Sequence, residues 1–421
     1  MQSTAFQSAR TLPVVSSQPH ALSQTAARRK RACVQHVQAS ATLTEDAVKD
    51  SVRGASKKAK LGSSDLLVSN CCLGTMTWGQ QNTEQDAHRQ LGYALDGGVN
   101  FIDTAEMYPV PTKEDTQGRT DRYIGSWMKG QRRDDIVLAT KVTGYGNKYM
   151  MKKRKEDTDS DETEDFEVTR LSAKQIRNSV DASLQRLKTD HIDLLQLHWP
   201  DRYVSIFGTS GYDPSKERDD IPFEEQLQGL DDVIKAGKVR YVGVSNESSY
   251  GVMKFLTAAE QLGLPRIVSI QNAHSLLVRS SWETDLMETC SPNRGNVGLL
   301  AYSPLAGGSL SGKYAKGEPP KNSRFTLFPG YMGRYNKSLA KEAVAKYIEI
   351  AQDFGLTGTQ LALAWVSSQW YVASTIIGAT SMEHLKENIG AFDVELPEEC
   401  LKAINAVYQR YKDPANRPVD E

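Results

Sequence analysis

No apolar run in the sequence approaches the eighteen or so residues that a spanning helix needs, which excludes a helical membrane protein. Net charge is nearly absent too. At −1 over 421 residues, nothing points to nucleic acid or an anionic membrane surface as partner. Cysteine is scarce: Cys33, Cys71, Cys72, Cys290 and Cys400, an odd number with no Cys-x-x-Cys pair. That argues against a disulfide framework or zinc site and for a reducing compartment. Adjacent Cys71 and Cys72 fit packing in a strand better than redox chemistry. Neither histidine nor cysteine shows metal-ligand spacing, so no metal is expected. The dinucleotide fingerprint Gly-x-Gly-x-x-Gly and the nucleophile elbow are missing as well, which disfavours a Rossmann domain and a serine hydrolase.

Acidic residues are missing from the first 44 positions, and the first is Glu45. The segment is rich in Ser, Ala, Gln and Thr, and carries Arg10 and the cluster Arg28-Arg29-Lys30-Arg31. With no apolar core region, this is the composition of an organelle transit peptide and not of a secretory signal. Ser, Ala and Gln outnumber Arg, which places plastid ahead of mitochondrion. Residues 45–60 read as a linker, 61–412 as the folded domain and 413–421 as a tail.

What is present, from about residue 65 on, is alternation. Leu66–Val68 and Cys71–Leu73 suggest a hairpin or first strand. Thr83 caps a helix with Ala87, Leu91, Ala94 and Leu95 on one face, stopped by Gly97-Gly98. Short strands then recur, each ending in a polar or charged residue: Asp103, Lys141, His198, Ser245, Gln271 and Ser303. Helices lie between them, among them one capped by Ser172 with Ile176, Val180, Leu184 and Leu187 on a stripe. About eight such units with no break in composition predict a single (β/α)8 TIM barrel with an N-terminal hairpin and a C-terminal extra helix. In a barrel all those strand ends share the face where active sites are built. Two long segments interrupt the pattern. Residues 148–170 form a charged loop, and 199–222 carry Trp199, Tyr203, Phe207 and Tyr212, suited to wall a pocket.

Asp103, Tyr108, Lys141 and His198 together suit the protonation of a carbonyl oxygen. A phenol, with an ordinary pKa of about 10, becomes a usable acid where an ammonium stabilises its phenolate. Lys141 can supply that ammonium, Asp103 can hold it, and His198 can align the carbonyl. Hydride then needs a carrier. The run Ala301–Tyr314, with Gly307, Gly308, Gly312 and Lys313, can bring backbone N–H groups to a pyrophosphate. Tyr302 can stack on a nicotinamide whose carboxamide Ser245, Asn246 and Gln271 would bond. Gly307–Lys313 nearly spells a Walker A loop, but Tyr314 replaces the hydroxyl that should hold magnesium, which leaves an NTPase as a poor second.

The segments Asn100–Tyr108, Asp193–Pro200, Gly243–Asn246, Leu300–Tyr314 and Ile376–Asn388 resemble the aldo-keto reductase superfamily. Gly74–Thr77 and Ala105–Pro111 resemble its Tas-like branch, with the potassium-channel β-subunits as cousins. The resemblance covers roughly residues 60–410. It implies NADPH bound in extended form, Tyr108 as proton donor supported by Asp103 and Lys141, and His198 orienting a small carbonyl substrate. It also implies that Thr75, Met76, Ser245, Asn246, Gln271, Tyr302, Ser303, Pro304, Leu305, Gly307, Gly308, Leu310 and Lys313 line the nicotinamide and pyrophosphate. Gly378, Thr380, His384, Glu387 and Asn388 would hold the adenosine end. Many members grip the 2′-phosphate with Arg at the position of His384 and Lys at that of Gly378. Neither is present, so preference for NADPH rests on Arg324 and Lys313. Channel β-subunits carry Asn where this chain has His198, which favours a reductase over the alternative, an NADPH-binding redox-sensing subunit with little turnover.

Overall fold

The computed structural model describes residues 53–147, 168–209, 211–315 and 319–417. The expected transit segment 1–44, most of the charged loop 148–170 and the end of the 413–421 tail lie outside them. Eight parallel strands close into one barrel in chain order: β1 (Cys71–Gly74), β2 (Phe101–Asp103), β3 (Val137–Val142), β4 (Ile192–Leu197), β5 (Val239–Ser245), β6 (Ile267–Ala273), β7 (Gly298–Tyr302) and β8 (Val372–Ile377). The ring is sealed where Thr375, Ile376 and Ile377 of β8 face Cys71, Cys72 and Leu73 of β1. Outside lie α1 (Glu84–Asp96), α2 (Arg119–Met128), α3 (Ala173–Leu187), α4 (Phe223–Lys235), α5 (Ser249–Leu262), α6 (Ser338–Asp353), α7 (Gly358–Ser367) and α8 (Met382–Gly390). The extra helix α9 (Glu398–Arg410) follows.

The period of two along each strand sorts the barrel interior by height. Phe101, Val137, Ala139, Leu194 and Leu300 pack with one another low in the barrel. The next residues on the same face are polar: Asp103 on β2, Lys141 on β3, Gln196 on β4 and Tyr302 on β7. An apolar base beneath a polar rim is therefore written into these four strands. Gly243 is needed on β5, because a Cβ there would lie 2.1 Å from Ser269 Oγ.

Below, Lys58–Lys60 pairs antiparallel with Leu67–Ser69. Leu61, Leu66 and Val68 of this hairpin join the interior cluster and floor the barrel. The boundaries expected here need correction. Arg53–Ser56 is a helical turn and Lys58–Lys60 a strand, so the folded unit starts inside the expected 45–60 linker. Lysine-rich Lys57–Lys60 carries no apolar period, because its strand is fully exposed. Cys71–Gly74 belongs to the barrel and not to the hairpin.

Helix ends follow the expected chemistry. Thr83 and Asp86 form a reciprocal capping box on α1, and Ser172 caps α3. On α1 it is Gln90, more than Leu95, that turns inward; it accepts from Trp78 Nε1 at 3.3 Å and donates to Ala379 O at 3.2 Å.

Asp193 of β4 is buried and ties two strands to a neighbouring turn. It accepts from Arg133 Nη2 at 2.7 Å, Leu138 N at 2.9 Å and Arg240 Nη1 at 2.9 Å. Asp193→Ala orphans the Leu138 N–H and strips both arginines of a partner, and should cost about 2–4 kcal/mol. Urea unfolding measures this, and a loss below about 1 kcal/mol would refute the assignment.

Candidate active site

Strand alternation puts Lys141 inside the barrel, completely buried. A buried ammonium must have its three protons matched. Lys141 Nζ reaches Asp103 Oδ2 at 2.6 Å, Thr104 O at 2.7 Å and Tyr108 OH at 3.4 Å. The second Asp103 oxygen accepts from Gln196 Nε2 at 3.2 Å and Gln271 Nε2 at 2.8 Å. Gln196 was not among the expected site residues. Its signal was the alternation itself, two residues before His198 on one strand face. Gln271 is spent beneath the rim on Asp103 and Gln196, which takes its amide N–H away from the expected carboxamide contact.

His198 follows β4, and its ring meets that of Tyr108 edge-on at 5.9 Å. Thus all four expected catalytic residues converge. Burial, and then the Lys141 charge, hold the His198 imidazole well below its ordinary pKa, so the ring is neutral. Its buried Nδ1 has no partner among the described residues. A neutral ring leaves that nitrogen bare at least cost and carries its proton on Nε2, as a hydrogen-bond donor. Burial, and then the Asp103 charge, push the Tyr108 phenol well above its ordinary value. The resting phenol is thus protonated, and the expected net acidification by Lys141 is not what this site shows. The ammonium lies where it stabilises the anion as the proton departs.

From this cluster a cavity of ≈1410 Å³ runs across the β7 and β8 ends. It exceeds the roughly 300–1,000 Å³ of a pocket for one drug-sized ligand. Ser245, Asn246, Tyr302 and Met76 border it near Tyr108. Tyr302 OH donates to Asn246 Oδ1 at 2.5 Å, and Asn246 Nδ2 to His198 O at 2.9 Å. Thr75 lines it too, with its hydroxyl spent on Asp103 O at 2.9 Å.

Beyond Tyr302, Ser303, Pro304, Leu305, Gly307 and Gly308 form the cavity wall. Gly307 and Gly308 have φ of 67° and 98°, and a Cβ on Gly308 would lie 2.7 Å from Lys313 Cε. Lys313 and Arg324 both reach the cavity, and burial together with the Arg324 charge lowers the Lys313 pKa. Neither has a carboxylate partner among the described residues. Two cations turned to one cavity without a counterion fit a phosphate-bearing ligand. Gly378, Thr380, His384, Glu387 and Asn388 line the far end, at the start of α8. There Asn388 Nδ2 donates to Gly378 O at 3.1 Å, and Glu387 Oε1 accepts from Thr357 Oγ1 at 2.8 Å.

Leu310 is a correction. It is buried in the helix-side core and does not border the cavity. Its loop runs in a 3-10 turn, which sends this side chain inward while Ser311 faces the ligand space. Expectation also missed Arg202, whose guanidinium holds Glu247 at 2.9 Å beside Asn246, and Tyr331, which donates to Met76 Sδ at 3.7 Å. Both come from loops without period. Among the described residues no group of His, Cys, Asp and Glu forms a metal site, and no helix is long and apolar enough to cross a membrane.

The aldo/keto reductase family model matches residues 70–409. The chain is 44% identical to Protein tas of Escherichia coli (strain K12) over 85% of this chain and 99% of that relative. It is 32% identical to the oxidoreductase YrpG of Bacillus subtilis (strain 168), over 83% and 94% of the two chains. Identity to a probable voltage-gated potassium channel subunit beta of Arabidopsis thaliana is 34%, over 79% and 90%. The barrel, the buried lysine beside its phenol and these likenesses agree: the chain belongs to the aldo/keto reductase family, and so to the oxidoreductases.

Proposed function

We propose that the protein reduces the carbonyl of an aldehyde or ketone to an alcohol with NADPH, with Tyr108 as proton donor. The observation that carries this reading is Lys141 Nζ, buried 2.6 Å from Asp103 and 3.4 Å from the Tyr108 hydroxyl, beneath a cavity whose ≈1410 Å³ has room for a dinucleotide. Tyr302, Ser245 and Asn246 would hold the nicotinamide, the Gly307–Gly308 turn with Lys313 and Arg324 the phosphates, and the start of α8 the adenosine. The bound nicotinamide supplies hydride to the carbonyl carbon. The chain itself handles the oxygen. Neutral His198 donates a hydrogen bond to it and Tyr108 gives it a proton. Lys141, fixed by Asp103 and Thr104 O, stabilises the phenolate left behind. NADPH is preferred to NADH on the reading that backbone N–H groups of the glycine turn answer the pyrophosphate, which leaves Lys313 and Arg324 for the 2′-phosphate. The channel-subunit likeness favours a second reading, a nucleotide-binding redox sensor that turns over little; rapid multiple turnover removes it. The first 44 residues direct the protein to a plastid, with the mitochondrion as second choice.

Tyr108→Phe should lower kcat by about 10²–10⁴ in a carbonyl panel while leaving NADPH affinity unchanged. Wild-type turnover in this variant sinks the mechanism. Gly308→Val displaces Lys313 and should raise the Kd for NADPH about tenfold or more in a fluorescence titration, with kcat at saturation little altered. Residues 1–44 fused to a fluorescent reporter should carry it into plastids; retention in the cytosol counts against import.

A further inference from the structure

Opposite the nucleotide elements, the loop between β4 and α4 closes the cavity with groups that the mechanism does not use. In the closed ring β4 stands across from β8, so this loop faces the substrate side. Its Arg218 borders the cavity, with its guanidinium carbon 3.8 Å from the centre of the Tyr145 ring. Arg218 Nε donates to Asp201 O at 3.1 Å, and the other guanidinium donors have no partner among the described residues. Arg202 on the same loop differs, being held by the Glu247 carboxylate. Asp201 offers Arg218 only its carbonyl, because its carboxylate is taken by Arg170 at 2.7 Å and by two backbone N–H groups.

No carboxylate on the wall is left to answer Arg218. Those bordering the cavity are Asp103, paired with Lys141, and Glu387, at the adenosine end. A half-buried guanidinium on a cavity wall with four donors unspent is a site for an anion. Arg218 connects to the reaction centre through aromatic groups. Tyr145 O accepts from Trp199 Nε1 at 2.8 Å, and the Trp199 ring lies 4.9 Å from that of His198. On the loop tip Phe207 meets Trp199 edge-on at 6.5 Å, yet is 56% exposed. That much aromatic surface in a cavity mouth gains by covering a flat apolar ligand.

We propose that the substrate is an aromatic aldehyde or ketone bearing a carboxylate, with Trp199 and Phe207 flanking its ring and Arg218 binding its anionic end. The proposal rests on the reductase reading and names the substrate class of that same site. Arg218 is a specificity residue at the far end of the substrate, away from the carbonyl.

The test compares para-formylbenzoate with its methyl ester, which removes the charge and keeps the ring. The wild type with NADPH should turn over the acid with the higher kcat/KM. Arg218→Gln should lower kcat/KM for the acid by about 10- to 100-fold, mainly through KM, and leave the ester nearly unchanged. Equal kinetics for acid and ester in the wild type, or equal losses in the variant, overturns the proposal. A binding arm needs no turnover. Titration calorimetry of the full chain, with and without NADPH, should show para-toluate binding more tightly than its neutral amide, and Arg218→Gln should abolish that difference. Absence of the difference in the wild type overturns the anion site. Reduction of neither aldehyde, with the calorimetric difference intact, instead removes the reductase reading.

Discussion

The ammonium of Lys141 inside the barrel is the constraint on which the rest of the site depends. A charge removed so fully from water is tolerable only with close, well-aimed acceptors, and Asp103 at 2.6 Å and Thr104 O at 2.7 Å supply them. Asp103 then needs its own second oxygen satisfied, which recruits Gln196 from β4 and Gln271 from β6. Four strands are thereby committed to one polar plug. The phenol of Tyr108 and the imidazole of His198 rest on it. Both stay uncharged because burial disfavours their ionised forms.

This plug explains why the fold and the reactive end of the site were so legible. Period-two strands that finish in Asp103, Lys141, His198 and Ser245 announce a barrel with chemistry at one rim, because parallel strands bring their carboxyl ends together. Caps such as Thr83 and Ser172 and the stop at Gly97 are local chemistry, and they hold in place. The expected adenosine end could be read only through resemblance, since contacts such as that of Glu387 with Thr357 join distant segments.

Where expectation departed from the structure, the reason is physical in each case. Leu310 lies in a glycine-rich turn whose φ values of 67° and 98° at Gly307 and Gly308 redirect the chain beyond them, and no periodicity encodes that. The strand Lys58–Lys60 has no buried face, so nothing apolar betrays it. The expected net acidification of Tyr108 rests on the Lys141 charge alone, whereas desolvation is a property of the assembled pocket. Arg202 and Arg218 sit in aperiodic loops, where the partner decides the role and sequence does not reveal the partner.

The hairpin beneath the barrel has a further consequence. By filling the lower end with Leu61, Leu66 and Val68, it closes the way to the site from below. Whatever reaches the buried phenol must then pass the loops of the upper rim, so a plain apolar floor hands control of entry to the irregular ceiling.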